Sequence, residues 1–159
     1  MPDNVRYVTA WQRNDPKCEA DAVSFWQETR MLPPDVDPRQ RAKEIVSMAY
    51  QGDRVVGVTT AEVAYLEQVR QKFALMRILI HPDLEKSGVS VPLTIHAREV
   101  LREWAKANPQ EKVAGYAAII TAPGYGQKPV LPAGLVLIGY NAQGRQVRVY
   151  WFDHFRIEI

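Results

Sequence analysis

The sequence predicts an α/β chain, a mixed sheet flanked by helices, folded as a single domain over residues 1–159. Three observations lead to that class. The run from Phe73 to Ile80 (FALMRILI) is nearly all apolar, the mark of a central strand covered on both faces. Val89, Leu93, Ala97, Val100, Leu101 and Trp104 then recur at helical spacing, and the apolar run from Val113 to Ile120 follows. A strand, a helix and a further strand in that order imply a parallel pair joined by a crossover.

The remaining elements follow from local chemistry. Val5 to Trp11 is β-branched and aromatic and predicts a first strand. Asp15-Pro16 is a helix start, because Asp caps free amides and Pro suits the first helical position. Cys18, Ala22, Phe25, Trp26 and Thr29 continue that helix to about Met31. Leu32 to Pro38 (LPPDVDP) predicts an extended loop, since each proline turns its predecessor away from helix. From Glu44, two β-rich runs around Gln51-Gly52-Asp53 predict a hairpin. The helix after Phe73–Ile80 should end near Asn108-Pro109. The Gly- and Pro-rich stretch from Thr121 to Pro132 should be a loop. LVLIGY, a turn at Asn141 to Gly144, and RQVRVYWFDHFRI predict a closing hairpin.

Composition narrows the function classes. Hydrophobic residues are 47% and charged residues 24%, which excludes disorder and collagen-like repetition. Twenty Lys and Arg against 18 Asp and Glu leave a net charge of +2, which does not argue for a nucleic-acid partner. Cys18 is the sole cysteine, so neither an intrachain disulfide nor a cysteine zinc site can form. His81, His96 and His154 share no ligand spacing, and no metal is expected. No window approaches the roughly 18 apolar residues of a membrane span. Charges and prolines interrupt the first residues before a signal-peptide core can form. The expectation is a cytoplasmic protein with no membrane association.

The segment richest in chemistry is Arg77 to Leu93, RILIHPDLEKSGVSVPL. A strand that feeds a glycine-containing loop and then a helix N-terminus is suited to anions. The helix dipole and its free amides point at the loop. This segment resembles the acetyl-CoA motif of the GCN5-related N-acetyltransferases. In that family a strand ending in Val-x-Pro leads to Arg/Gln-x-x-Gly-x-Gly/Ala and a helix. Ile80 and Pro82 match the first element, Gly88 the first glycine, Ser90 the second small position and Leu93 the helix leucine, without a gap. The order of elements along most of the chain fits as well. The resemblance implies an acetyl-CoA-dependent transfer of an acyl group to an amine. It further implies that the backbone of Leu79 and Ile80 would pair with the pantetheine. The amides of Ser87, Gly88, Val89 and Ser90 would hold the pyrophosphate.

Several positions depart from the pattern. Glu85 stands where the family has Arg or Gln, and Lys86 and Ser87 fill positions usually taken by Gly and by Lys, Gln or Arg. A carboxylate at roughly 4–6 Å from a phosphate costs about 3–4 kcal/mol before screening, at an effective dielectric near 20. Lys86 would offset part of that if it turned inward. For catalysis the resemblance suggests Glu62, in the long hairpin, as a base acting through a water. It also suggests Tyr125 as the acid that protonates the thiolate. On its own chemistry Glu62 reads as a solvated strand residue, and Tyr125 as a surface or interface aromatic in a Gly-flanked loop. Cys18 falls at a core position, and Arg39, Arg41 and Lys43 form a short solvated cluster.

The last strand suggests a second function class. Tyr150, Trp151, Phe152 and Phe155 lie close together, and on a strand they would alternate between faces. One aromatic face would then need a cover, either a homodimer partner or another protein. That reading makes the chain a catalytically inactive protein-binding or regulatory module on the same fold. Glu85 and the loss of a regular tyrosine-bearing segment in Thr121–Pro132 support it.

Overall fold

The computed structural model describes residues 4–121 and 126–157. Among the described residues, eight strands and three α-helices run in the order β1 (Val5–Thr9), α1 (Pro16–Thr29), α2 (Pro38–Arg41), β2 (Ile45–Gln51), β3 (Arg54–Leu66) and β4 (Gln71–Ile80). They continue with α3 (Ser90–Ala107), β5 (Val113–Ile120), β6 (Val130–Leu131), β7 (Leu135–Tyr140) and β8 (Gln146–Trp151). The strand order is β1-β2-β3-β4-β5-β8-β7-β6. β4 and β5 are parallel, whereas β1–β2, β2–β3, β5–β8, β6–β7 and β7–β8 are antiparallel. The mixed α/β sheet and the parallel crossover through α3 are as the sequence predicts.

The chain forms two compact units, one from residues up to 61 together with 77–100, the other from 62–76 together with 101 onward. In the first unit α1 begins as expected. The Asp15 carboxylate accepts hydrogen bonds from the Lys17 and Cys18 amides, and Arg30 ends the helix in a left-handed conformation at φ 54°. Cys18, Ala22, Phe25 and Trp26, spaced one turn apart, pack with Ile45, Met48, Tyr50 and Val58. A second cluster joins Ala49 and Val56 to Ile80, Val89 and Leu93, the residues of the motif strand and the start of α3.

At the irregularity between Ile45 and Ser47 in β2, the Ser47 amide donates to Thr59 Oγ1 at 3.0 Å. The two buried hydroxyls lie 2.6 Å apart. The hydroxyl of Thr59 thus satisfies an amide that the shifted ladder displaces.

The short helix α2 is absent from the sequence expectation, which carries an extended loop through Pro38. Asp37 caps it by accepting from the Arg39 amide, and Pro38 occupies its first turn. This is the same Asp-Pro signal that starts α1.

In the second unit, Phe73, Ala114, Ala117, Val147 and Val149 form the core. Gly115 faces Trp151 across the β5–β8 ladder, where a Cβ would fall 1.9 Å from the Tyr150 carbonyl oxygen. Arg148 is fully buried on β8, and its guanidinium donates to Gln146 Oε1 and to the carbonyls of Leu135 and Lys128. These bonds tie the segment before β7 to the sheet. β8 stops at Trp151, short of the predicted RQVRVYWFDHFRI strand. The Phe152 amide still bonds the Ala114 carbonyl, but the Phe155 amide folds back to the Phe152 carbonyl in a turn.

Candidate functional site

The site begins past the last registered pair of β4 and β5. The β4–β5 register runs from Lys72↔Val113 to Leu75↔Ala117, while β4 continues to Ile80. Leu79 and Ile80 therefore lie past the last registered pair. The His81 amide then bonds the Val56 carbonyl at 2.8 Å, and Pro82–Leu84 forms a single 3-10 turn.

The loop is held by its own bonds. The Ser87 amide and hydroxyl both donate to the Leu84 carbonyl, at 3.1 and 2.6 Å. The amide of Ser87 is therefore engaged within the loop. Gly88 has φ +90° and open space where a Cβ would be, so glycine is required for backbone conformation and not for room. Val89 is fully buried and its carbonyl accepts from the Leu93 amide, which anchors the first turn of α3. First-turn amides have no partner inside a helix, so those of Ser90 and Val91 face the end of the dipole. Pro92 has no amide and removes one donor from this set.

Glu85 and Lys86 are both exposed. Arg54, which starts β3, carries no local signal in the sequence. Its Nη2 lies 3.3 Å from Asp83 Oδ2 and 3.0 Å from His81 Nε2, placing a further cation beside the loop.

A second group surrounds Arg77 and draws in Arg41, which is not a freely solvated residue of the Arg39–Lys43 cluster but faces Glu44. This arginine interrupts the apolar β4. Its Nη2 donates to Glu44 Oε1 at 2.9 Å and its Nε to Thr60 Oγ1 at 3.2 Å. Arg41 Nε stands 3.6 Å from the same Glu44 oxygen. Arg41, Thr60, Arg77, Leu79 and Trp26 line one small cavity.

Of the catalytic candidates, Glu62 is exposed on β3, and Tyr125 lies outside the described residues. Cys18 is buried and its thiol pKa is pushed up, mainly by burial, as suits a core residue. His96 is held neutral by burial, which lowers its pKa. Its Nε2 lies 3.0 Å from Thr9 Oγ1 and its ring stacks on Tyr7. Among the described residues, no cluster of His, Cys, Asp and Glu is placed to hold a metal ion. No helix described is long and apolar enough to cross a membrane.

The aromatic C-terminal segment departs from the two-faced strand. Phe152 is buried, and Phe155 packs against the core after the turn. Tyr150 is half-buried, with its ring 5.6 Å from that of Tyr116. Trp151 is 38% exposed, and its ring meets Phe73 edge-on at 5.0 Å. Most of the aromatic surface is covered within the chain.

No family model matches the chain, and no curated protein matches it. Solved structures do. Ribosomal-protein-S5-alanine acetyltransferase from Vibrio fischeri superposes with a TM-score of 0.65 at 8% identity, over 99% of this chain and 98% of that one. An acetyltransferase of the GNAT family from Streptococcus pneumoniae gives 0.54 at 16% identity, over 91% and 96%. AtaTR bound with acetyl-CoA gives 0.57 at 14% identity, over 95% of each chain. With its β4–loop–α3 arrangement and its mixed sheet, the chain has the fold of the GCN5-related N-acetyltransferases.

Proposed function

We propose that the chain is an acetyl-CoA-dependent N-acetyltransferase acting on an amine. The observation that carries this reading is the junction at residues 79–93. There β4 runs past its last registered pair with β5, Gly88 takes a positive φ, and α3 opens at Ser90. The amides of Gly88, Val89 and Ser90 would receive the pyrophosphate, with Ser87 bracing the loop through Leu84. The backbone of Leu79 and Ile80 would pair with the pantetheine amides.

In the transfer, the amine nitrogen attacks the thioester carbonyl carbon and the carbon–sulfur bond breaks. The amine proton would leave to a water or to Glu62, and Tyr125 is the candidate for protonating the thiolate. Isothermal titration with acetyl-CoA tests the reading, and no heat at millimolar ligand would end it. Because Glu85 is exposed and screened, Glu85→Gln should tighten binding only modestly, about threefold to tenfold. Unchanged affinity would remove Glu85 from the phosphate environment.

A second reading has its own support. The AtaT toxin, with the same fold, is found bound to the C-terminus of its antitoxin AtaR. In this chain Val130, Val136, Tyr140 and Trp151, on β6, β7 and β8, are exposed apolar residues. A regulatory protein partner or a second copy of the chain would cover them. Light scattering tests the dimer. A monomer whose solubility is unchanged by Trp151→Ser and Tyr140→Ser would count against either cover.

A further inference from the structure

A cavity of about 380 Å³ opens in the second unit, where β4 and β5 begin and α3 has ended. Nothing in the acetyl-transfer reading uses it. Its volume is at the small end of ligand pockets, which run from about 300 to 1,000 Å³. One side is apolar, from Ala105, Val113 and Phe155; the other is basic, from Lys112, His154 and Arg156. Among the described residues, no carboxylate lines it.

The histidine is the informative member. Its Nδ1 is buried and has no hydrogen-bond partner, although buried polar atoms are nearly always paired. The Asp153 carboxylate is 4.0 Å away, beyond hydrogen-bonding distance, and stands 3.6 Å from Arg102. The ring is held in place by stacking on Phe152, at 5.7 Å and 18°. Arg156 is fixed through Nη1, which donates to the carbonyls of Asp153 and Phe155. A guanidinium anchored at one nitrogen still presents donors suited to a carboxylate or phosphate.

We propose that this cavity binds a small organic anion, a carboxylate or phosphate monoester carried on an apolar body. The anion would meet Lys112, Arg156 and the orphaned nitrogen of His154, and the body would lie against Ala105, Val113 and Phe155. The proposal does not depend on acetyl-CoA binding. The two are separable because acetyl-CoA would be followed at the amides of Gly88 and Ser90, and this site at those of Val113 and His154.

The test is amide chemical-shift mapping of the full chain with benzoate, phenyl phosphate, inorganic phosphate and neutral benzyl alcohol. Saturable shifts at Lys112, Val113 and His154 with benzoate or phenyl phosphate are expected. Binding by inorganic phosphate and benzyl alcohol should be at least about tenfold weaker. Arg156→Gln and His154→Gln should each weaken the aromatic anions about tenfold without lowering the melting temperature. Equal binding of benzyl alcohol would overturn the anionic half of the proposal, and equal binding of inorganic phosphate the apolar half. No localised shift at millimolar ligand, or wild-type affinity in both variants, would overturn all of it.

Discussion

Gly57 is the point on β3 over which the motif strand and α3 come together. A Cβ at this position would lie 2.8 Å from Ile80 Cδ1 and 2.8 Å from Leu93 Cδ2. Carbon pairs prefer about 3.5–4.0 Å, so each methyl must retreat by about 0.7–1.2 Å. Ile80 is 7% exposed and Leu93 is fully buried, which leaves little room for that retreat. Overpacking of this kind costs about 1–3 kcal/mol. Replacing Gly by Ala also restricts the unfolded chain, which returns about 0.4–1 kcal/mol. Gly57→Ala should therefore destabilise by about 1–2 kcal/mol.

Ile80→Val removes Cδ1, one of the two clashing atoms, and alone should cost about 0.5–1.5 kcal/mol. With both changes one clash is gone and the Leu93 clash remains. The double variant should be more stable than the sum of the singles by about 0.5–1 kcal/mol. Urea denaturation of the four proteins measures that coupling. Strict additivity, or a stabilising Gly57→Ala, would refute the claim that Gly57 sets the distance between β3, Ile80 and Leu93.

Other perturbations read out different parts of the structure. Thr59→Val strands the Ser47 amide and hydroxyl in a buried setting, so a loss of about 1–3 kcal/mol in urea denaturation is expected, with Thr59→Ser much milder. Asp15→Ala leaves two helix amides uncapped and should cost about 1 kcal/mol, with Asp15→Asn close to wild type. Burial lowers the His96 pKa below its ordinary 6.5, so the unfolded chain binds this proton more readily than the folded one. Its contribution is full above pH 6.5 and is lost as pH falls below that value toward the folded pKa. His96→Gln should flatten that part of the stability–pH curve; an unchanged slope would assign it to other groups.

What was legible in the sequence was mostly local. Asp15-Pro16, the Gly52 turn and the run from Val113 to Ile120 each carry their signal within a few residues, and each element falls where it is expected. Asp37-Pro38 bears the same cap signal as Asp15-Pro16. It was masked by Pro33 and Pro34, whose effect on their predecessors made the whole stretch look extended. The aromatic alternation overstates the C-terminal strand, which ends at Trp151, for a different reason. Alternation of aromatics describes a strand only while the backbone stays extended, and nothing in YWFDHF marks the turn that joins Phe155 to Phe152. The partner surface inferred from that alternation consequently shrinks to Trp151 and its exposed neighbours on β6 and β7.

The candidate site divides along the same line. Ile80, Pro82, Gly88 and Ser90 fall within one short stretch of sequence, so a linear motif captures them. Arg54 reaches the loop only through the β3–β4 hairpin, and Glu44 meets Arg77 across 33 positions of sequence. No local pattern encodes such distances, yet Arg77 itself carried a signal. An arginine inside an apolar strand is tolerated when it is paired. Such a residue predicts an acid somewhere in the fold, even where it cannot say which one. Here the acid is Glu44, with Thr60 taking the second donor, and the set shares a cavity wall with Leu79.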